Sequence, residues 1–207
     1  MRTNVYVDGF NLYYGAAKNT PYRWLDLGRL CQLLLPKNEI RRIRYFTALV
    51  EARPDDPTKQ QRQLTFIRAL RTIPNLTVHY GTFLSRPARM ALANASPGGP
   101  RTVEVLETKE KGSDVNLATY LIFDGFAGEY EVAAVISNDS DLVEPIRMVR
   151  QRLGLRVGVI NPHKNTSHAL VKVATFYKPI REGVLRASLF PAVMEDAHGR
   201  FHKPAGW

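Results

Sequence analysis

Apolar positions along the chain switch between strand-like and helix-like spacing. "NVYVDGF" begins with β-branched and aromatic residues from Asn4 to Val7 and halts at Asp8-Gly9, which predicts a first strand. "FNLYYGAAK" and "LDLGRLCQLLLP" follow as helical stretches, the second closed by Pro36. "EIRRIRYFTALV" alternates loosely and reads as a second strand. "DPTKQQRQLTFIRALRTIP" is an amphipathic helix with Pro57 in its first turn, Leu64, Ile67 and Leu70 on one face, and Pro74 at its end. "NLTVHYGTF" predicts a third strand. Further on, "SDVNLATYLIFDGFAG" predicts helix, "YEVAAVIS" strand, "DSDLVEPIRMVRQRLG" helix, "LRVGVINP" strand and "TSHALVKVATFYKPI" helix.

Residues 85–101, "SRPARMALANASPGGPR", break this rhythm, and their Pro/Gly cluster marks a loop or hairpin excursion. Periodicity is also lost from Met194 onward. The expected organisation is one domain over 1–190 carrying that excursion, with a loose tail over 191–207. Strands alternating with helices imply βαβ units, hence an α/β fold: a three-layer α/β/α sandwich with a mainly parallel central sheet.

With 207 residues the chain can bury a substantial core. Its 29 Lys and Arg against 19 acids give a net charge of +10, which favours polyanionic partners, nucleic acid before anionic membrane. The single cysteine, Cys31, lies in an apolar run and offers neither an internal disulfide nor a multi-thiolate zinc site. No run is long enough to cross a bilayer and no secretory leader opens the sequence, so no membrane partner and a cytoplasmic location are expected. The apolar stretch "GVLRASLFPAVM" is either a homodimer surface or packs on its own domain.

In open parallel sheets, ligands gather beyond the carboxyl ends of the strands. Asp8 follows the first strand, with Asn11 three residues on. Asp139 and Asp141 follow "VAAVIS", and Asp114 opens a helix after Lys111, Gly112 and Ser113. Each position also suits a helix cap, and Asp141 with Glu144 fits a capping box. Four aspartates converging on one edge would repel one another, and hard oxygen donors of this kind suit Mg²⁺ or Mn²⁺. A cation held so can turn water into a nucleophile against phosphate. Dinucleotide, P-loop and nucleophile-elbow motifs are absent, and the histidines are scattered. Among these, His163 follows a strand, as a surface-loop residue or a substrate contact.

The segments "YVDGFNLYYG", "KGSDVNLATYLI" and "SNDSDLVEPI" resemble the NYN domain, in the LabA-like (DUF88) branch of the PIN-like nuclease superfamily. The aspartate-x-x-asparagine is matched by Asp8 and Asn11, the lysine and helix-start aspartate by Lys111 and Asp114, and the D-S-D turn by Asp139, Ser140 and Asp141. The resemblance implies a Rossmann-like fold and a metal-dependent endoribonuclease. Asp8, Asp114, Asp139 and Asp141 would hold Mg²⁺ or Mn²⁺, Asn11 would orient a carboxylate or phosphate, and Lys111 and Ser140 would face the substrate. The family's further acid has no counterpart by spacing, with Glu107, Glu110 and Glu144 all nearby. RNA is the expected partner. Arg41, Arg42, Arg44, Lys59, Arg62, Arg68, Arg71, Arg86 and Arg89 supply positive charge, and Tyr13, Tyr14 and Tyr22 are placed to stack on unpaired bases. The alternative is a regulatory module that binds nucleic acid without cutting it. A HAD-type phosphatase is disfavoured because position 10 is Phe where its second aspartate would stand.

Overall fold

The computed structural model describes residues 1–52 and 54–207. In chain order the elements are β1 (Arg2–Asp8), α1 (Gly9–Leu12) running into a wide turn over Tyr13–Ala17, α2 (Leu27–Leu34), β2 (Glu39–Thr47), α3 (Lys59–Leu70) and β3 (Leu76–Tyr80). A hairpin of β4 (Thr82–Ala91) and β5 (Thr102–Lys111) leads into α4 (Ser113–Phe126) and β6 (Val132–Ile136). A single turn over Ser140–Leu142 enters α5 (Val143–Arg152), then β7 (Arg156–Asn161), α6 (His168–Val173), β8 (Phe176–Pro179) and α7 (Glu182–Arg186). A last hairpin joins β9 (Val193–Asp196) to β10 (Gly199–His202).

Six strands form one parallel sheet in the order β3-β2-β1-β6-β7-β8. Chain order runs outward in both directions from the β1–β6 pair, which makes that pair the topological switch point. Helices leaving the two strands diverge there and open a crevice at the strands' carboxyl ends. Alternation along β1 sends Val5 and Val7 into one core with Leu27, Leu30 and Leu70, and Tyr6 into the other with Leu117, Leu121 and Val149. All five residues of β6 are buried, as a strand covered on both faces requires. Under α4, Arg44 of β2 donates both Nε and Nη2 to Asp124 at 2.8 Å, and Tyr6 adds its hydroxyl at 2.8 Å. The mixed α/β architecture with a parallel central sheet matches the sandwich expected from the alternation of elements.

The structure departs from the sequence expectations in several places. Leu64 is 41% exposed; α3 buries Ile67, Ala69 and Leu70 instead. The helix expected over "TSHALVKVATFYKPI" ends at Val173, where Ala174 turns extended. From Phe176 the chain pairs with the open edge of β7, where bulky and β-branched side chains pack well. Residues 85–101 fall inside the longer β4–β5 hairpin, which pairs residue by residue from Thr82↔Lys111 to Ala91↔Thr102. The last residues, expected as a loose tail, carry the β9–β10 hairpin. Asp196 receives Arg68 at 2.7 and 2.8 Å, Phe201 is buried, and the Trp207 ring lies 6.3 Å from Trp24 and 5.8 Å from Phe66. In the "GVLRASLFPAVM" stretch, Leu185 and Phe190 are buried in the domain's own core. Among the described residues, no helix is long and apolar enough to cross a membrane.

Candidate functional site

Asp8 ends β1 at the switch point and is 5% exposed. Its two carboxylate oxygens are separately engaged. Oδ1 accepts from the Asn11 backbone N–H at 2.9 Å, capping α1, and Oδ2 accepts from the Ser137 hydroxyl at 2.9 Å. Gly9 is needed here because a Cβ would stand 2.7 Å from the Phe46 carbonyl and the Tyr45 ring. The same Ser137 oxygen accepts from Asp139 N at 3.1 Å, and Asp139 in turn accepts from Asp141 N at 3.0 Å. Asn138 N donates to Asn11 Oδ1 at 2.9 Å, so the loop after β6 is tied both to α1 and to the end of β1. Asn11 therefore touches a carboxylate through its backbone, while its side chain braces the neighbouring loop.

The charges of these groups meet across the crevice. Burial raises the pKa of Asp8, partly offset by the hydrogen bonds from Asn11 and Ser137, and Asp139 and Glu110 push it further up. Asp114, in the first turn of α4, is raised from 3.8 to about 6, first by burial and then by repulsion from Asp8, Asp139, Glu110 and Asp141. The acids expected from sequence thus lie within one field, and Glu110 joins them. Glu110 also binds Ser113, accepting its backbone N–H at 3.1 Å and its hydroxyl at 2.7 Å, so it caps α4 just before Asp114. Gly81 gives it room, since a Cβ there would lie 2.2 Å from Glu110 Oε1.

Other expected residues sit further out. Lys111 is exposed, one residue beyond Glu110 and so on the opposite strand face, where its charge acts on Glu107. Ser140 is exposed at the start of its turn. Tyr22 is buried and donates to Glu182 at 2.7 Å, which removes it as a stacking platform. Arg44 and Arg68 are committed to Asp124 and Asp196. Arg62 lines a neighbouring cavity from α3 while bonded to Asp56 at 2.6 Å. The ring of His163 packs against Gly15, 2.6 Å from where a Cβ would stand. Ser137 and Asn138 open the segment that resembles the family, but no role falls to them from the D-S-D turn alone, and a serine directly after a buried strand looks like core.

Among the described residues, no group of three or more His, Cys, Asp and Glu side chains is set to hold a metal ion. The donor chemistry nevertheless fits a hard divalent cation. Several carboxylates destabilise one another's ionised forms, and Mg²⁺ needs only one or two protein carboxylates, keeping water in its other positions.

The NYN domain family model matches residues 2–181. The chain belongs to the NYN domain family. A Pseudomonas putida protein named 6-hydroxy-3-succinoylpyridine 3-monooxygenase HspA is 29% identical over 238 residues, an alignment covering 100% of this chain and 75% of that protein. The crystal structure of a Vibrio parahaemolyticus protein of unknown function has a TM-score of 0.57 at 18% identity, covering 91% of this NYN chain and 96% of that one. That likeness concerns the fold: the NYN domain here has the same sandwich at long evolutionary distance.

Proposed function

We propose that this NYN domain is a Mg²⁺- or Mn²⁺-dependent endoribonuclease. The observation that carries the reading is the mutual electrostatic perturbation of Asp8, Glu110, Asp114, Asp139 and Asp141 at the switch point of the sheet. A protein evolved only to hold a polyanion gains nothing from an acidic centre. Family membership supports a nuclease, and the +10 charge supports a nucleic-acid substrate.

One or two of Asp8, Asp114, Asp139 and Asp141 would hold the cation directly and the others through its waters, with Glu110 adding negative charge beside them. When bound, the cation supplies positive charge to the phosphate and acidifies water near it. Ser137 and the Asn11 amide fix the Asp8 carboxylate, so its oxygens need little reorganisation on binding. The attacking water, acidified beside the cation, would lose its proton to a carboxylate of the cluster that does not ligate the cation or to solvent. The water oxygen bonds to phosphorus, the P–O3′ bond breaks and O3′ takes a proton from solvent, so the products carry a 5′-phosphate and a 3′-hydroxyl. Lys111 and Ser140, being exposed, would meet flanking phosphates.

The test is the chemistry of the ends. Single-stranded RNA incubated with the protein and Mn²⁺ is expected to give 3′-hydroxyl termini. A 2′,3′-cyclic phosphate would mean that the neighbouring 2′-hydroxyl attacked, and the water mechanism would fall.

A second reading comes from the relative's name. HspA is named a monooxygenase of a hydroxylated, succinoylated pyridine, and the crevice here borders an aromatic-lined cavity of ≈ 470 Å³ that would accept a small ring. Turnover of such a compound with oxygen and a reductant, unaffected by Asp8→Asn, would favour it over RNA hydrolysis.

A further inference from the structure

Three of the segments that line the cavity of ≈ 470 Å³ bear on its ligand, and two of them continue into the carboxylate site. The first is α1 with the turn behind it, which begins directly after Asp8 and brings Phe10 and Tyr13 to the cavity. The second is the inner face of the β4–β5 hairpin. Phe83 stands opposite Glu110 there and Ser85 opposite Thr108, their hydroxyls 3.0 Å apart. Because strand side chains alternate, Thr108 and Glu110 share a face: Thr108 lines the cavity, and Glu110 joins the acids. The third wall is α3, which presents Lys59, Arg62, Gln63 and Phe66 at helical spacing.

This combination selects a ligand class. The Phe10 and Phe83 rings meet edge to face at 5.7 Å, leaving flat apolar surface suited to a planar ring. Lys59 on the opposite wall suits an anion attached to that ring, beside Arg62, which is held by Asp56 at 2.6 Å. A base stacked within a duplex cannot enter such a cavity, whereas an unpaired base can. Continuity with the acids places the adjoining phosphodiester at the carboxylates.

We propose that the cavity is the subsite for one unpaired nucleobase of single-stranded RNA, received against Phe10, Tyr13 and Phe83 with Lys59 facing its phosphate. The assignment rests on the hydrolase reading for the neighbouring carboxylates, and it specifies the substrate as single-stranded. Loss of one stacking ring should weaken binding about 5- to 150-fold.

The experiment measures binding in EDTA, where no cleavage occurs. Wild type, Phe83→Ala and Phe83→Trp are titrated with a fluorescent single-stranded RNA, the same RNA annealed into duplex, and nicotinate as a free aromatic acid. Phe83→Ala should lose single-strand affinity by that factor, Phe83→Trp should keep it, and duplex affinity should be the same in all three. Unchanged single-strand affinity in Phe83→Ala overturns the subsite even if metal-dependent cleavage is found. Binding of nicotinate in competition with no effect of Phe83 on RNA assigns the cavity to small aromatic acids and also overturns it. Phe83-dependent RNA binding without any cleavage on adding Mn²⁺ upholds the subsite and refutes the hydrolase.

Discussion

Asp114→Asn should make the metal-free protein more stable at neutral pH. The Asp114 carboxyl titrates at about 6, against an ordinary value of 3.8, because it is half-buried among other acids. A raised acid pKa means that folding favours the neutral form. The stabilisation is complete below about pH 4 and is lost as pH rises through 6. At ~1.4 kcal/mol per pH unit, the whole difference corresponds to about 3 kcal/mol. Solvent screening of a partly exposed group reduces this to about 1–2 kcal/mol. In a chain of this size, 1 kcal/mol moves Tm by about 2–4 °C, so Asp114→Asn should melt about 2–8 °C higher in EDTA at pH 7.5. At pH 4.5 the folded carboxyl is mostly protonated while the unfolded one is mostly ionised, so the gap should shrink to about a third of its value at pH 7.5. Adding Mn²⁺ at pH 7.5 should stabilise the wild type more than the variant and narrow the gap. No gain at pH 7.5, or an equal gain at both pH values, would refute the claim that the acids repel one another in one field.

The remaining expectations address the supporting structure. Ser137→Ala removes a hydrogen bond that lowers the Asp8 pKa, so the acid limb of the pH–rate profile should move to higher pH. A limb that stays put would show that Asp8 is not the group titrating there. Gly81→Ala puts a Cβ 2.6 Å from the Lys111 carbonyl as well as against Glu110; it should cost about 1–3 kcal/mol in urea denaturation and depress cleavage more than binding. Asp124→Ala strands the buried Arg44 guanidinium and should cost about 3–5 kcal/mol by the same measurement.

What the sequence disclosed was mostly local. Asp8, Asn11 and Asp139 stand at strand exits and helix entrances, where cap chemistry and ligand chemistry coincide, and a few consecutive residues suffice to mark them. Glu110 could not be chosen over Glu107 and Glu144 because its position depends on ten cross-strand pairs between β4 and β5, on the absence of a side chain at Gly81, and on which face of β5 turns inward. The same alternation turns Lys111 away from the acids. Ser137 was hidden by its own burial. Leu64 misled because α3 carries two adjacent stripes, one buried through Ile67 and Leu70, the other lining the cavity through Lys59, Arg62 and Phe66. The final hairpin left no periodic trace, since its two strands are short and only Phe201 is deeply buried.

The central claim is that the carboxylates at the β1–β6 switch point cut RNA with a divalent cation. The most direct measurement incubates end-labelled single-stranded RNA with wild type and with an Asp8→Asn, Asp139→Asn double variant, each in Mn²⁺, Mg²⁺ and EDTA. Cleavage by the wild type in either metal, abolished by EDTA and absent from a folded double variant, is the predicted result. Cleavage that persists in EDTA or in the variant, or no cleavage by the wild type in any buffer, would contradict it.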